Sequence, residues 1–332
     1  MIRVGIIGFG LSGRVFHAPF FKSLPEYQVT RVLSSSAGKV HEHLPGVKVV
    51  KTLPEILQDD VDLIINCAPN DYHYSYTAEA LKAGKHVVVE KPFVNTVTDG
   101  EKLIQIAKEN GKILTVFQNR RYDGDFLTVK KLLSEGTLGD VTLFESHYDR
   151  FRPEIKPGWR EVEGPGTGVF YDLGPHLIDQ AFVLFGKPDE YQIDLAAQRK
   201  GAIVPDYFHI TLKYGMKRVI LHSSCMGNSS ARFRIEGTKG NFIKHGMDQQ
   251  EQALKAGILP DTENFGVDRE DGTLMTWENN LKAERKIKTE KGCYIRFYEE
   301  LYEAITGKTS IVPVTAESAL DVIRLISAQP SP

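Results

Sequence analysis

The sequence predicts an α/β protein, with an N-terminal doubly wound parallel sheet of Rossmann type followed by an α+β domain built on an open, largely antiparallel sheet. Three observations carry this expectation. Short apolar strands alternate with helical stretches up to about residue 116, which is the pattern of a parallel sheet covered on both faces. Beyond residue 120 strand patterns follow one another directly. At 332 residues the chain also exceeds one ordinary core, given roughly 100–200 residues per domain. The expected division is 1–120 and 121–332.

In the first part, RVGIIGF, YQVTRVLS, VKVVK, VDLIINCA, KHVVVE and KILTVF read as strands, each bounded by Gly, Pro, Asn or Asp turn signals. NDYHYSYTAEALKAG and TDGEKLIQIAKENG carry Ala, Leu and Ile at helical spacing and end in Gly, as helices commonly do. In the second part, GDFLTVKKLLSEG and DLGPHLIDQAFVLFG read as helices. VTLFESHYDRF, EYQIDLAAQRK, DYFHITLKYG, KRVILHSSCM and ARFRIEGTKG read as strands, with a hairpin turn over Lys213–Lys217. A final amphipathic helix is expected in VPVTAESALDVIRLISA, with Thr315 as its N-cap.

Apolar residues at 41%, charged residues at 25% and a net charge of −2 describe a soluble globular chain without the field that gathers nucleic acid or membranes. Small neutral or polar partners fit best. The start Met1-Ile2-Arg3-Val4 lacks the basic and apolar regions of a signal peptide, and no apolar run approaches the ~18 residues that span a bilayer. Cys67, Cys225 and Cys293 are odd in number and far apart, which argues against disulfides or a zinc site and for a reducing cytoplasm. Cys67, inside LIINCAP, reads as an inert thiol. No metal-ligand cluster is visible in the sequence.

Three motifs carry chemistry. Gly8-Phe9-Gly10-Leu11-Ser12-Gly13 follows an apolar strand and opens a helical segment, the context that the dinucleotide fingerprint requires. Its glycines serve the tight turn, the backbone's approach to a pyrophosphate, and close helix packing. About 20 residues on, a NAD-specific domain carries Asp or Glu for the ribose diol. Here stand Ser34, Ser35 and Ser36, with Lys39 behind, and hydroxyls with a cation suit a 2′-phosphate better; a plain serine-rich loop is the alternative reading. Asp172 and His176 are four apart at an expected helix start, so both project from one face, as a carboxylate and imidazole that move a proton do. Taken alone, the pair is better explained by Asp172 as an N-cap and His176 as a surface or core residue.

Weaker features are Asn119–Asp125 (NRRYDGD), open to cofactor or substrate contacts or to salt bridges; His209, expected to be packed; Asp62, at the wrong strand end for chemistry; and Lys282–Lys291, expected as a solvated face or loop. The run Val87-Val88-Val89 ends in Glu90-Lys91-Pro92, placing both charges at a strand's carboxyl end, where ligands bind in such sheets.

With GFGLSG at the front, ALKAGKHVVVEKP at 80–92 and YDLGPHLID at 171–179, the chain resembles the Gfo/Idh/MocA oxidoreductases over essentially its whole length. The resemblance implies NAD(P)-dependent oxidation of sugar or cyclitol carbinols. It implies that Lys91 lies between the nicotinamide ribose and substrate, that Asp172 binds substrate, and that His176 transfers a proton. Pro69, Asn70 and His73 match the segment beside the nicotinamide half, Glu90 matches the carboxylate near its ribose, and Asn119 is a further cofactor candidate. QNRRYDGDFLT and the serine-rich turn are similar to the branch containing NADP-dependent scyllo-inositol dehydrogenases. Loops such as RFRPEIKPGWR, which would contact substrate, are not readable from motifs. The expectation is a cytoplasmic homodimer or homotetramer using NADP, with NAD possible, on inositol and inosose first and aldoses next. A cofactor-binding regulator without catalysis is the alternative.

Overall fold

A computed structural model describes residues 1–156, 158, 161–164, 166–227, 231–278 and 281–328; Pro157, Trp159 and Arg160 of the RFRPEIKPGWR loop lie outside the described residues. The elements of the first part are β1 (Ile2–Ile7), α1 (Ala18–Ser23), β2 (Tyr27–Leu33), α2 (Ala37–His43), β3 (Lys48–Val50), α3 (Leu53–Ile56), β4 (Leu63–Asn66), α4 (His73–Lys82), β5 (His86–Val89), α5 (Val97–Glu109) and β6 (Leu114–Val116). The second part runs α6 (Gly124–Ser134), β7 (Val141–His147), α7 (Gly168–Phe185), β8 (Glu190–Ala196), β9 (Tyr207–Tyr214), β10 (Lys217–Ser224), β11 (Phe233–Gly237) and β12 (Gly240–Lys244). It continues through α8 (Gln250–Lys255), β13 (Gly272–Glu278), β14 (Leu281–Ile287), α9 (Ile295–Ile305) and α10 (Ala316–Ser327).

The first sheet is parallel throughout in the order β3-β2-β1-β4-β5-β6, the doubly wound order whose direction reverses between β1 and β4. Burial on both faces explains its sequence. Val87, Val88 and Val89 are fully buried, as are Leu63, Ile64 and Ile65 beside them, and each such side chain stabilises the fold by roughly 1.5–3 kcal/mol. The helical segment after the glycine motif begins as a π-helical turn over Ser12–His17 and continues as α1, with Pro19 near the start of α1.

The unit around this sheet is not one stretch of chain. It comprises Met1–Asn119 with Gln250–Phe265 and Cys293–Ser327, whereas the sequence division had placed everything after 120 elsewhere. The physical reason lies in apolar and polar ties made by the returning segments. Thr315 bridges Thr115, the Thr115 hydroxyl donates to the Val314 carbonyl at 2.7 Å, and α10 packs on α5 so closely that a Cβ at Gly100 would lie 2.5 Å from Leu320. Thr315 caps α10 as expected, its Oγ1 accepting from the Ser318 N–H at 3.2 Å.

The other unit spans Arg120–Gln249 and Gly266–Gly292 and holds a sheet in the order β14-β13-β12-β11-β7-β10-β9-β8. Its pairs are antiparallel except β7 with β10. Phe144, Phe208, Ile210, Leu212, Val219 and Leu221 are fully buried on one face, and the alternate residues form a more open face. Lys282–Ile287 is a solvated face, as expected, carried by the exposed strand β14 paired with β13. Two expectations are corrected here. α7 begins at Gly168 with Thr167 as N-cap, so Asp172 sits one turn inside the helix and is no cap. His209 stands on the open face of β9 beside His222, with ring centroids 5.9 Å apart, because it falls on the odd positions of a strand whose even positions are buried.

Candidate active site

The glycine motif connects β1 to the π-helical turn, and each glycine has a different environment. Gly8 has φ +84°, and a Cβ there would lie 2.6 Å from the Cys67 carbonyl oxygen. Gly13 passes so close to the loop that its Cβ would lie 2.3 Å from the Gly8 oxygen. At Gly10 a Cβ would meet nothing within 4 Å, so the backbone faces open space. A tight turn, a close contact and an open cradle are what a dinucleotide pyrophosphate requires of the three positions. Phe9 is buried, whereas Leu11 is half exposed.

Glu90 is the hub of this site. Its carboxylate accepts from the Ser12 hydroxyl, from His17 Nε2 at 2.9 Å and from the Lys91 backbone N–H at 3.0 Å. Since a carboxylate only accepts, His17 carries its proton on Nε2 and its Nδ1 is bonded to the Tyr298 hydroxyl. Burial works to raise the Glu90 carboxyl, but hydrogen bonds from His17 and Ser12 and the nearby cations hold it below the usual carboxylate range. Ser12 of the glycine loop and Lys91 after β5 are thereby tied to one anion. The same surroundings push the Cys67 thiol well up, chiefly by burial and then by the Glu90 charge, consistent with an inert thiol.

Pro69 and Asn70 stand after β4 in an exposed turn, which Asn66 pins from inside through the Ala68 N–H, the His73 carbonyl and the Thr77 hydroxyl. His73 occupies a different position from its neighbours. It is 1% exposed, with Nδ1 at 2.7 Å from the Pro92 carbonyl and Nε2 at 3.0 Å from that of Ala68, so its ring braces the turn against the Glu-Lys-Pro segment. Burial lowers its pKa. Asn119 opens a short 3-10 turn after β6.

At the end of β2, the Ser36 N–H donates to the Ser34 hydroxyl at 3.2 Å and Ser36 precedes α2. Lys39 is exposed on α2. A cation that the sequence did not single out holds this turn: Lys51 Nζ donates to the Ser34 and Ser35 carbonyls at 2.9 and 3.0 Å. Asp62, at the opposite strand end, is held by Arg3 through contacts of 2.6 and 2.9 Å.

In the second unit, Asp172 and His176 lie one turn apart on α7, the histidine only 5% exposed. Asp172 lines a pocket with Arg150 and Arg152, which begin the RFRPEIKPGWR loop expected to contact substrate, and with Glu161, Arg199 and Ser224, which the sequence did not single out. Arg199 is committed to Asp206 and Glu161, both at 2.8 Å. NRRYDGD contributes ion pairs inside this unit: Arg121 grips Asp179 bidentately at 2.6 and 2.8 Å, and Asp125 lies 3.2 Å from Arg232.

A dinucleotide cradle at a Rossmann switch point, joined to an open-sheet α+β unit carrying an Asp-His pair, defines a nicotinamide-dependent oxidoreductase architecture. Residues 2–118 match the NAD-binding Rossmann fold of the Gfo/Idh/MocA oxidoreductases and residues 130–330 their C-terminal alpha/beta domain; the chain belongs to that family. It is 44% identical to the uncharacterized oxidoreductase YdgJ of Escherichia coli, over 98% of this chain and 94% of that one. It is 43% identical to the scyllo-inositol 2-dehydrogenase (NADP(+)) IolW of Bacillus subtilis, over 98% of this chain and 92% of the relative. The solved structure of the oxidoreductase yvaA from Bacillus subtilis superposes with a TM-score of 0.95 at 42% identity, covering 98% of this chain and 94% of that one.

Proposed function

We propose that the protein interconverts a secondary alcohol and a ketone on a polyhydroxylated ring with NADP as cofactor, the ring being a cyclitol such as inositol and, after it, an aldose. The observation that carries this reading is the single carboxylate, Glu90, that ties Ser12 of the glycine loop to the backbone of Lys91. Bound nicotinamide supplies the hydride acceptor in oxidation and the donor in reduction. Gly8, Gly10 and Gly13 give its pyrophosphate a backbone cradle, and Glu90 meets its ribose. The Lys91 ammonium polarises the reacting oxygen, and His176 takes the hydroxyl proton in oxidation and returns it in reduction. Asp172, one helical turn before His176, holds a substrate hydroxyl and keeps the imidazole in register. A serine turn without a carboxylate, backed by Lys51, favours the 2′-phosphate, and the 43% identity to an NADP-dependent scyllo-inositol dehydrogenase supports the same cofactor and substrate class.

The test is turnover with NADP(H) and NAD(H) across a panel of cyclitols, inososes and aldoses, in both directions. Lys91→Ala and His176→Ala should each lower turnover on the best substrate at least ~100-fold while NADPH still binds. A variant that keeps near-normal turnover removes that residue from the mechanism. Tight NADPH binding with no turnover anywhere on the panel would replace the reading with that of a cofactor-binding regulator.

A further inference from the structure

Far along the sequence from the glycine motif, the open face of the second sheet gathers two imidazoles and a carboxylate. His147 ends β7, His222 lies opposite it on β10 through the parallel register, and Asp149 follows two residues after β7. His222 Nδ1 is 2.8 Å from Asp149 Oδ1, and His147 Nδ1 is 3.5 Å from Asp149 Oδ2. One nitrogen or oxygen from each of the three lies within 4.8 Å of the others, a grouping found nowhere else among the described residues. We propose that His147, Asp149 and His222 form a binding site for a divalent first-row transition ion of the zinc class, separate from the oxidoreductase chemistry.

Three features favour an ion over a set of plain ion pairs. His147 Nδ1 is shut away from solvent without a hydrogen-bond partner, a costly state for a ring nitrogen that a metal bond relieves. Tetrahedral ligands at about 2.0–2.1 Å from zinc stand about 3.4 Å apart; the Asp149 carboxylate already reaches both imidazoles, Oδ1 at 2.8 Å from His222 and Oδ2 at 3.5 Å from His147, and one ligand atom from each residue lies within 4.8 Å of the others, so modest side-chain shifts close the set. The surrounding shell is of the kind that orients metal ligands. Asp149 Oδ1 also accepts from the Ser224 N–H at 2.9 Å, and Glu145 stands 3.6 Å from the other nitrogen of His147, one small shift short of the hydrogen bond that the carboxylate of a carboxylate-histidine-metal triad accepts. Arg234, the nearby cation that would oppose an ion, is engaged by Glu145 and Glu236. The mixed nitrogen and oxygen donors select zinc, cobalt or nickel over calcium or magnesium. Such an ion would clamp β7, β10 and the chain leaving β7 at one point.

The test titrates the untagged full chain, stripped with a chelator, with Zn²⁺ by calorimetry and with Co²⁺ by visible absorption. The expected result is one ion per chain at micromolar affinity or tighter, with Co²⁺ giving ligand-field bands of a nitrogen and oxygen site and no thiolate charge-transfer band. His147→Gln is the informative variant, since its Nδ1 holds no hydrogen bond whose loss would unfold the strand. His147→Gln should weaken Zn²⁺ at least ~10-fold, as should Glu145→Gln on the scale of outer-shell substitutions, with unchanged circular dichroism. Absence of stoichiometric Zn²⁺ uptake by the wild type overturns the proposal. So does a folded His147→Gln variant that binds as tightly as wild type, which would place the ion elsewhere.

Discussion

Gly10 and Gly13 are three residues apart in one loop, yet a single added methyl group should act on them in opposite ways. At Gly13 the new Cβ would stand 2.3 Å from the Gly8 carbonyl oxygen, which is backbone and cannot swing aside. Gly8 is itself fixed at φ +84°, with its N–H donating to the Leu33 carbonyl at 3.0 Å, so the clash is relieved only by moving the loop. Overpacking of that kind costs ~1–3 kcal/mol, and Gly13→Ala should melt several degrees below wild type even without ligand. At Gly10 a Cβ meets no heavy atom within 4 Å and φ lies outside the left-handed region. Gly10→Ala should therefore fold as stably as wild type, and the loss of unfolded-state freedom would add ~0.4–1 kcal/mol. Its penalty should appear only when the dinucleotide binds. Displacing a pyrophosphate from backbone N–H groups forfeits charge-assisted hydrogen bonds of ~1.5–3 kcal/mol, or ~10–100-fold in Kd at 1.4 kcal/mol per decade. Thermal melts with and without NADPH, beside calorimetric titrations, separate the two effects. The Gly10 backbone does not cradle the pyrophosphate if Gly10→Ala binds NADPH within about twofold of wild type, or if it loses as much apo stability as Gly13→Ala.

Two further outcomes follow from the same unit. NADPH should bind ~30-fold tighter than NADH, corresponding to ~2 kcal/mol; Lys51→Ala should narrow that ratio, Ser35→Asp should shift it toward NADH, and equal dissociation constants in the wild type would sink the serine-turn argument. His86 has its pKa lowered to about 4, by burial first and then by the Lys112 charge, while its Nδ1 accepts the Ile113 N–H at 3.0 Å. Its folded value lies below the ordinary histidine range near ~6.5, so the unfolded chain takes up a proton that the folded chain refuses. That contribution is full above ~6.5 and is lost as pH falls toward 4. Chemical denaturation across this window should show a gentler decline in His86→Gln than in wild type; parallel declines would mean that His86 does not titrate as stated.

The six parallel strands and the glycine loop were legible because they depend on local signals: runs apolar on both faces, glycines after a strand, and turn residues between. Glu90 and Lys91 were legible as charges at a strand's carboxyl end. What holds Glu90 was not, because His17 is 73 positions away and Tyr298 is 281 positions from His17. Lys51 escaped notice for a related reason. It follows β3, and only the β2-β3 pairing carries it back over the serine turn. His147 and His222 likewise meet only through a strand register that no local pattern encodes. His73 shows the converse limit, since its segment was recognised while its burial as a brace depended on carbonyls supplied by tertiary packing.

The return of Cys293–Ser327 to the first unit bears on how the protein comes into being. Tyr298 of α9 accepts the Tyr27 hydroxyl's hydrogen bond on its carbonyl oxygen at 2.7 Å and bonds His17 with its own hydroxyl, while Leu320 of α10 fills the space over Gly100. During synthesis the six strands leave the ribosome long before these residues do. Until then α5 lacks the part of its apolar cover that α10 supplies and His17, the partner of Glu90, lacks one of its two hydrogen bonds. The nascent first unit would thus wait, open, through translation of the entire second sheet. A ribosome-bound chain halted after β14 should be far more sensitive to protease within residues 1–119 than the released protein.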